Sequence, residues 1–424
     1  MNNEDLNCKY GKKLKDIIEF AYTNVPFYIY LHQGVPDMDK VPVIDKSMIE
    51  DVEDLTSFQY APWNIPSDDI FRTQTSGSTG KCMNILWNKY DYVKSMMPLW
   101  LYRYKYYNIR TDDRFCYFYT VGNRADTIMN IKFYEKVKNG LGFSKSNLNS
   151  DRVLEICKMM KEYNPIWINT QPSIALMLAK CFKKNKLDKI ETLRYIELTG
   201  EMLFDNVRKE IEEVFGCKVA NQYGCIEANS IAYECQYGNM HCMEDNVYVE
   251  ILDDYGKPVG DAENEKNEGN IVITTLNSYA MPFVRYKTGD RGIMYRNHSC
   301  KCGNCSPILR LTSGRISDYA IMKDGSRVSS YVFVRAVELV NMQCENIIKQ
   351  FRVVQKDYDY FVIHLELDEE VIDSVIGERE VEDIFLRSVN DERLYETEFE
   401  FEYHEELELE IGEKKLRYFI REVE

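Results

Sequence analysis

Residues Thr73-Gln74-Thr75-Ser76-Gly77-Ser78-Thr79-Gly80-Lys81 put glycines, hydroxyls and a lysine into a stretch too polar to be core. That composition suits a phosphate cradle. Gly77 and Gly80 let backbone N–H groups close on an anion, the hydroxyls donate further hydrogen bonds, and Lys81 supplies a point charge. It is not a Walker loop, because only two residues separate the glycines and Cys82 follows the lysine. Alone, such a run reads equally as a plain surface loop.

Four further segments supply what a nucleotide site needs. Gly200-Glu201 follows an apolar run at 195–199, the carboxyl end of a strand, where open α/β sheets bind ligands. Asn221-Gln222-Tyr223-Gly224-Cys225-Ile226-Glu227 offers a tyrosine that can stack on a purine and a carboxylate that can reach a divalent ion on phosphates. Thr288-Gly289-Asp290 puts a carboxylate after a glycine turn, suited to both ribose hydroxyls, and Ser313-Gly314-Arg315 adds an arginine. A second kind of chemistry lies in two patches, Cys235, His241 and Cys242, and Cys300, Cys302 and Cys305 beside His298. Thiolates and imidazoles in such density suit tetrahedral Zn²⁺, with unliganded reduced thiols as the alternative. His32, His364 and His404 have no motif context, and His364 reads as a surface or packing residue of a strand.

The elements that must position these groups follow from periodicity. A helix is expected at 13–21, with breaks at Val25-Pro26 and Val41-Pro42. Strands at 115–119, 166–169, 195–199 and 219–222 alternate with helices at 151–163 and 172–183, which predicts a largely parallel α/β sheet between 71 and 275. Alternating strands at 246–252 and 269–275 flank a turn at 253–256 and predict an added β subdomain. Beyond a composition break near 315–318, a helix at 331–340, strands at 351–355 and 360–367, a helix at 381–388 and a strand at 397–403 predict a small α+β domain. The tyrosine-rich run 100–107 reads as an amphipathic helix face rather than a base-stacking platform.

At 424 residues the chain calls for roughly two or three domains. No apolar run reaches the roughly 18 residues of a membrane span, and the first residues lack the pattern of a signal peptide. A net charge of -16 argues against nucleic acid or a polybasic membrane anchor as partner. The expectation is a soluble, cytoplasmic protein whose 13 cysteines are reduced or metal-bound.

These segments, in this order, resemble the adenylate-forming superfamily of acyl-CoA synthetases, adenylation domains and luciferases, and within it the phenylacetate–CoA ligase-like and capsular-polysaccharide-type branch. Val25-Pro26-Phe27-Tyr28, Val41-Pro42-Val43, the 75–81 loop, Ile231–Cys235, Val247–Leu252, Tyr279–Pro282 and Arg285-Tyr286 fit that branch's pattern. The resemblance implies a large N-terminal α/β domain, 1–316, made of a helical lead-in 1–70, a core 71–245 and a β subdomain with a zinc site 246–316. It adds a small mobile C-terminal domain at 317–424.

It also implies roles. Thr75, Ser76, Gly77, Ser78, Thr79, Gly80 and Lys81 hold the ATP phosphates; Gly200, Glu201, Gln222, Tyr223 and Gly224 border the adenine. Glu227 binds Mg²⁺, Asp290 the ribose, and Arg315 the ribose or phosphate. Lys415 acts near the α-phosphate, although Lys414 stands where a glycine is usual and either lysine is placed to do so. Ile226 and Ser317 depart from the residues usual before the motif glutamate and at the hinge. Structural zinc falls to Cys235, His241, Cys300 and Cys302, with Cys82 and Cys225 as packing residues.

The implied activity is ATP-dependent activation of a carboxylic acid as an acyl-adenylate, with AMP and pyrophosphate as products. CoA is the expected acceptor and an aromatic or small organic acid the expected substrate, in a pocket lined near 117–123, 170–173, 199–200 and 222–226. A carrier-protein thiol or an amine is the alternative acceptor, a second copy of the chain is kept among the partners, and a non-catalytic nucleotide-binding module is the rival of another class.

Overall fold

The computed structural model describes residues 10–37, 40–49, 52–60, 69–74, 83–119, 133–145, 148, 150–260, 267–296, 298–313, 319–344, 347–368, 377–389, 391–407 and 417–423. In chain order its helices are α1 (Gly11–Asn24), α2 (Pro26–Leu31), α3 (Lys89–Tyr107), α4 (Ser150–Tyr163), α5 (Pro172–Lys184), α6 (Asp205–Phe215), α7 (Tyr331–Gln343) and α8 (Glu378–Ser388). The strands are β1 (Ile70–Gln74), β2 (Asn84–Asn88), β3 (Phe115–Tyr119), β4 (Tyr134–Val137), β5 (Gly140–Ser144), β6 (Trp167–Thr170), β7 (Tyr195–Thr199), β8 (Lys218–Tyr223), β9 (Ala232–Glu234) and β10 (Met240–Cys242). They continue with β11 (Val247–Leu252), β12 (Gly269–Thr275), β13 (Tyr286–Tyr295), β14 (Ile308–Ser313), β15 (Tyr319–Ile321), β16 (Arg327–Ser329), β17 (Ile348–Asp357), β18 (Tyr360–Leu367), β19 (Glu398–His404) and β20 (Phe419–Arg421).

Local sequence explains the boundaries. Leu14, Ile17, Ile18, Ala21 and Tyr22 recur at helical spacing and are all buried, so α1 forms against the core. It stops at Val25, which precedes a proline and is extended, while Pro26 opens α2 where its missing N–H costs nothing. Asn88 caps α3 by accepting from Tyr90 N at 2.8 Å, and Asn108, in the left-handed conformation, ends it.

Packing divides the chain into two compact units, residues 1–112 with 220–312, and residues 113–219 with 313–424. In the first, strands run in the order β11-β12-β13-β14-β10-β9-β8, and β1 pairs antiparallel with β2. The pairs β11–β12, β12–β13, β10–β14, β9–β10 and β8–β9 are antiparallel. In the second, β7-β6-β3-β5-β4 has parallel pairs throughout except at the β4 edge, beside helices α4 to α6. A separate sheet of order β19-β18-β17-β20, packed with α7 and α8 around Phe333, Phe361 and Phe385, completes that unit. Phe204 meets Phe351 there at 5.7 Å, and Lys180 pairs with Glu366.

The expected parallel sheet is therefore narrower than 71–275. Within this stretch parallel pairs join β3, β5, β6 and β7, because a parallel partner needs a crossover of a dozen or more residues. Only five residues join β9 to β10, so that pair is antiparallel. The strands expected as an added β subdomain continue the same sheet as β10 and β9.

One buried ion pair organises the first unit. Arg285 gives Nε to Glu250 Oε2 at 3.0 Å and Nη2 to Glu250 Oε1 at 3.1 Å, while Nη1 reaches the Val41 carbonyl. Both side chains are about nine-tenths buried, at 7% and 6% exposure. Ile44 N donates to the Arg285 carbonyl and Lys287 N to the Ile44 carbonyl, so the Val41-Pro42-Val43 segment is clamped to β13. Truncating one partner strands a buried charge, and Arg285→Ala should cost about 3–5 kcal/mol. Urea unfolding checks it, with most of the loss recovered when Glu250→Leu is added.

Candidate nucleotide site and metal centre

In the first unit, Tyr223 ends β8 and Asp290 sits on β13. The Tyr223 hydroxyl donates to Asp290 Oδ2 at 2.8 Å and lies 3.4 Å from Thr288 Oγ1. Burial first, then the Asp290 carboxylate, pushes the Tyr223 phenol well above its ordinary value, so it remains a neutral donor. Gly289 has φ +89, the left-handed turn that aims Asp290. Gly224 is fixed by space, since a Cβ there would stand 1.9 Å from the Asn229 carbonyl oxygen. Gln222 spends its amide on Ser230 Oγ at 3.2 Å.

Glu227 lies in the turn after Gly224, 8% exposed, and accepts from the Tyr286 hydroxyl at 3.2 Å. The Trp87 indole N–H donates to the Ile226 carbonyl, which anchors that turn from β2. Burial, then Glu227, raises the Cys225 thiol, which leaves it protonated and unsuited to nucleophilic work.

In the second unit, Gly200 has φ +84 directly after β7. The Glu201 carboxylate accepts from Ser173 N and Ser173 Oγ, each at 3.0 Å, and so stabilises the first turn of α5. Of the residues expected around the acid, Phe118 is core and Tyr117 donates to Glu135 at 2.6 Å. Thr170 Oγ1 is buried with no hydrogen-bond partner among the described residues.

The loop Thr75, Ser76, Gly77, Ser78, Thr79, Gly80 and Lys81 lies outside the described residues, as do Arg315, Lys414 and Lys415. The strands on either side of that loop pair Gln74 with Asn84, which brings its ends together.

Cys235, His241, Cys300 and Cys302 are brought together, their donor atoms within 4.8 Å of one another. The β9–β10 hairpin presents Cys235 and His241, and a turn with Gly303 at φ +75 presents Cys300 and Cys302. Cys235 Sγ stands 3.7 Å from Cys300 Sγ, and Cys302 Sγ 3.3 Å from His241 Nε2. Zinc bonded at about 2.3 Å to sulfur and about 2.0–2.1 Å to nitrogen requires tetrahedral edges of about 3.8 Å and 3.5 Å, so this donor set fits that ion. His241 Nδ1 lies 3.0 Å from the Ser306 carbonyl, to which it must donate, and Nε2 keeps its lone pair for a ligand bond.

The thiols divide the proton between them. Burial pushes Cys235 up to about 12. At Cys300 desolvation is the largest influence and acts upward, but donation from the Cys302 backbone, Asn239, the Cys302 thiol and His241 together holds it down at about 6. Cys305 is exposed and Cys242 is buried outside the set.

The tyrosine run serves this centre. Asn304 Nδ2 donates to the hydroxyls of Tyr102 and Tyr106, at 2.9 and 3.3 Å, and Tyr106 OH lies 3.9 Å from Cys302 Sγ. These contacts were not legible in sequence, because helix 89–107 carries Pro98 inside it and only its last two turns showed a face.

The sequence profile of the AMP-binding enzyme family matches residues 30–279. A phenylacetate-coenzyme A ligase of Thermus thermophilus is 24% identical over 378 residues, 83% of this chain and 78% of that protein. Protein CapK of Staphylococcus aureus is 23% identical over 355 residues, 82% of this chain and 73% of its own. Among solved structures, a 2-hydroxyisobutyryl-CoA ligase in the postadenylation state superposes with a TM-score of 0.73 at 17% identity, over 97% of this chain and 88% of that one, a likeness of fold. Among the described residues no helix is long and apolar enough to cross a membrane.

Proposed function

The chain belongs to the AMP-binding enzyme family, within the adenylate-forming superfamily, and from that premise we propose that it couples a small or aromatic carboxylic acid to CoA through an acyl-adenylate. The observation that carries this is the family match itself, which runs from residue 30 to 279 and so takes in the 75–81 loop, Gly200, Tyr223 and Glu227. Asp290, aimed by Gly289 and held by Tyr223, adds the ribose-binding carboxylate beyond it. The similarity to phenylacetate-coenzyme A ligases supports the substrate class and the acceptor.

In this reading a carboxylate oxygen attacks the α-phosphorus, and the bond to pyrophosphate breaks. The hydroxyls of Thr75, Ser76, Ser78 and Thr79 and the charge of Lys81 hold the leaving phosphates, and Lys415 steadies charge at the α-phosphate; Arg315 contacts the ribose or phosphate. Glu227, an oxygen donor suited to a hard cation, would hold Mg²⁺, which neutralises phosphate charge when bound. Glu201 contributes through the first turn of α5 and Gly200 through close backbone approach. A thiol then attacks the acyl carbon and AMP leaves. The Cys235, His241, Cys300 and Cys302 set holds a structural zinc, closed by four protein ligands. Division into domains at 316/317 and a cytoplasmic location belong to the same proposal.

In a second reading the acyl group passes to a carrier-protein thiol or an amine in place of CoA. Mass spectrometry of full-length protein with ATP, Mg²⁺ and a panel of aryl, fatty and amino acids, with and without CoA, separates them. The expected result is an acyl-adenylate without CoA and an acyl-CoA with it, and Lys81→Ala should lower both by roughly 10²–10³. An adenylate that persists in CoA would move the assignment to the second reading.

A further inference from the structure

A second set of metal-type donors stands on the last sheet of the second unit. His364 on β18 lies opposite Glu402 on β19, and His404, two residues along, shares that face. His364 Nδ1 is 3.1 Å from His404 Nε2 and 3.1 Å from Glu402 Oε2, and the latter two are 3.8 Å apart. A single imidazole proton cannot satisfy all three of these contacts, whereas one cation between the three atoms would. Bonds of about 2.0–2.2 Å to nitrogen and oxygen give tetrahedral edges of about 3.3–3.5 Å, inside the spread found here.

The side chains are 19%, 47% and 35% exposed, sheltered enough to hold a ligand geometry and open enough for an ion and a water to enter. Glu398 and Glu400, alternating with Glu402 along β19, add negative charge to the same face. Arg352 and Lys356 oppose it, although Arg352 Nε is engaged by the Arg417 carbonyl at 3.2 Å.

We propose that His364, Glu402 and His404 bind a divalent transition ion, with the fourth position left to water. Two imidazoles and one carboxylate select zinc, cobalt or nickel over magnesium. The ion would tie β19, an edge strand, to β18. This site does not depend on the catalytic assignment, and it lies in the other unit from the cysteine centre.

The test is equilibrium dialysis of the full-length protein against micromolar Zn²⁺, with bound zinc counted by elemental mass spectrometry. Wild type should retain one zinc ion more per chain than the His364→Ala/His404→Ala double variant, and zinc should raise the melting temperature of wild type by more than that of the variant. The cysteine centre is common to both and drops out of the difference. Glu402→Gln should weaken uptake by roughly tenfold or more, and this milder variant carries the test if the double variant fails to fold. Equal zinc uptake by wild type and variants would overturn the proposal, as would equal uptake of Mg²⁺ at the same concentration.

Discussion

Asp290→Ala is expected to weaken ATP binding by roughly 10²–10⁴-fold with the fold retained. The side chain sits just after Gly289, whose φ of +89 no β-branched residue would adopt, and Tyr223 OH holds one oxygen at 2.8 Å. Its backbone N–H is fixed in turn by Thr288 Oγ1 at 3.2 Å. In the proposed role, a carboxylate so positioned before ligand arrives would make two charge-assisted bonds to a ribose without reorganising. Each is worth about 1.5–3 kcal/mol, and both are lost with the carboxylate. Tyr223→Phe removes only the positioning donor and should cost about tenfold, since one hydrogen bond of about 1.5 kcal/mol goes. Calorimetric titration with a non-hydrolysable ATP analogue measures both; undiminished affinity in Asp290→Ala would remove this residue from the site.

His241→Ala should lower the zinc occupancy of the cysteine centre and destabilise the protein by about 3–5 kcal/mol. A structural zinc contributes on the order of 10 kcal/mol in small folds, and three thiolates retain part of that. The side chain is fully buried, with its ring fixed by the Ser306 carbonyl, so no water or alternative side chain substitutes for it. The loss should spread to the turn at 300–306 and to the Asn304 contacts with Tyr102 and Tyr106. Cys305→Ser is the control, because that thiol is exposed and outside the set, and it should keep both metal and stability. Metal content with thermal unfolding checks the pair. Full zinc occupancy in His241→Ala would contradict the ligand assignment.

Much of the secondary structure was legible because the signals were local. The apolar runs 115–119, 195–199 and 269–275 coincide with β3, β7 and β12, each bounded by turn or polar residues, and helix 172–183 with α5. Strand direction was not, since alternation of apolar residues reports which face is buried and not which neighbour is paired. The four zinc-type donors were legible from their spacing and the family pattern, but the partner that orients His241, the Ser306 carbonyl, comes from the turn beyond the second cysteine pair.

Arg285 shows the same limit from the other side. Its place in a family pattern carried no role, and the fold uses it to neutralise Glu250, a partner defined only by the approach of β11 and β13 to one another. Glu201 likewise holds the start of α5 through Ser173, 28 residues away in sequence. His364 and His404 have no motif context in the sequence because parallel pairing of β18 and β19, not spacing, sets them 3.1 Å apart.

The most direct test of the account is acid-dependent ATP–pyrophosphate exchange by the wild-type chain across aryl, fatty and amino acids. Exchange that appears with one class of acid, vanishes without it and is lost in Lys81→Ala is the predicted result. No exchange with any acid, in protein shown by calorimetry to bind ATP, would contradict carboxylate activation as the function of this site.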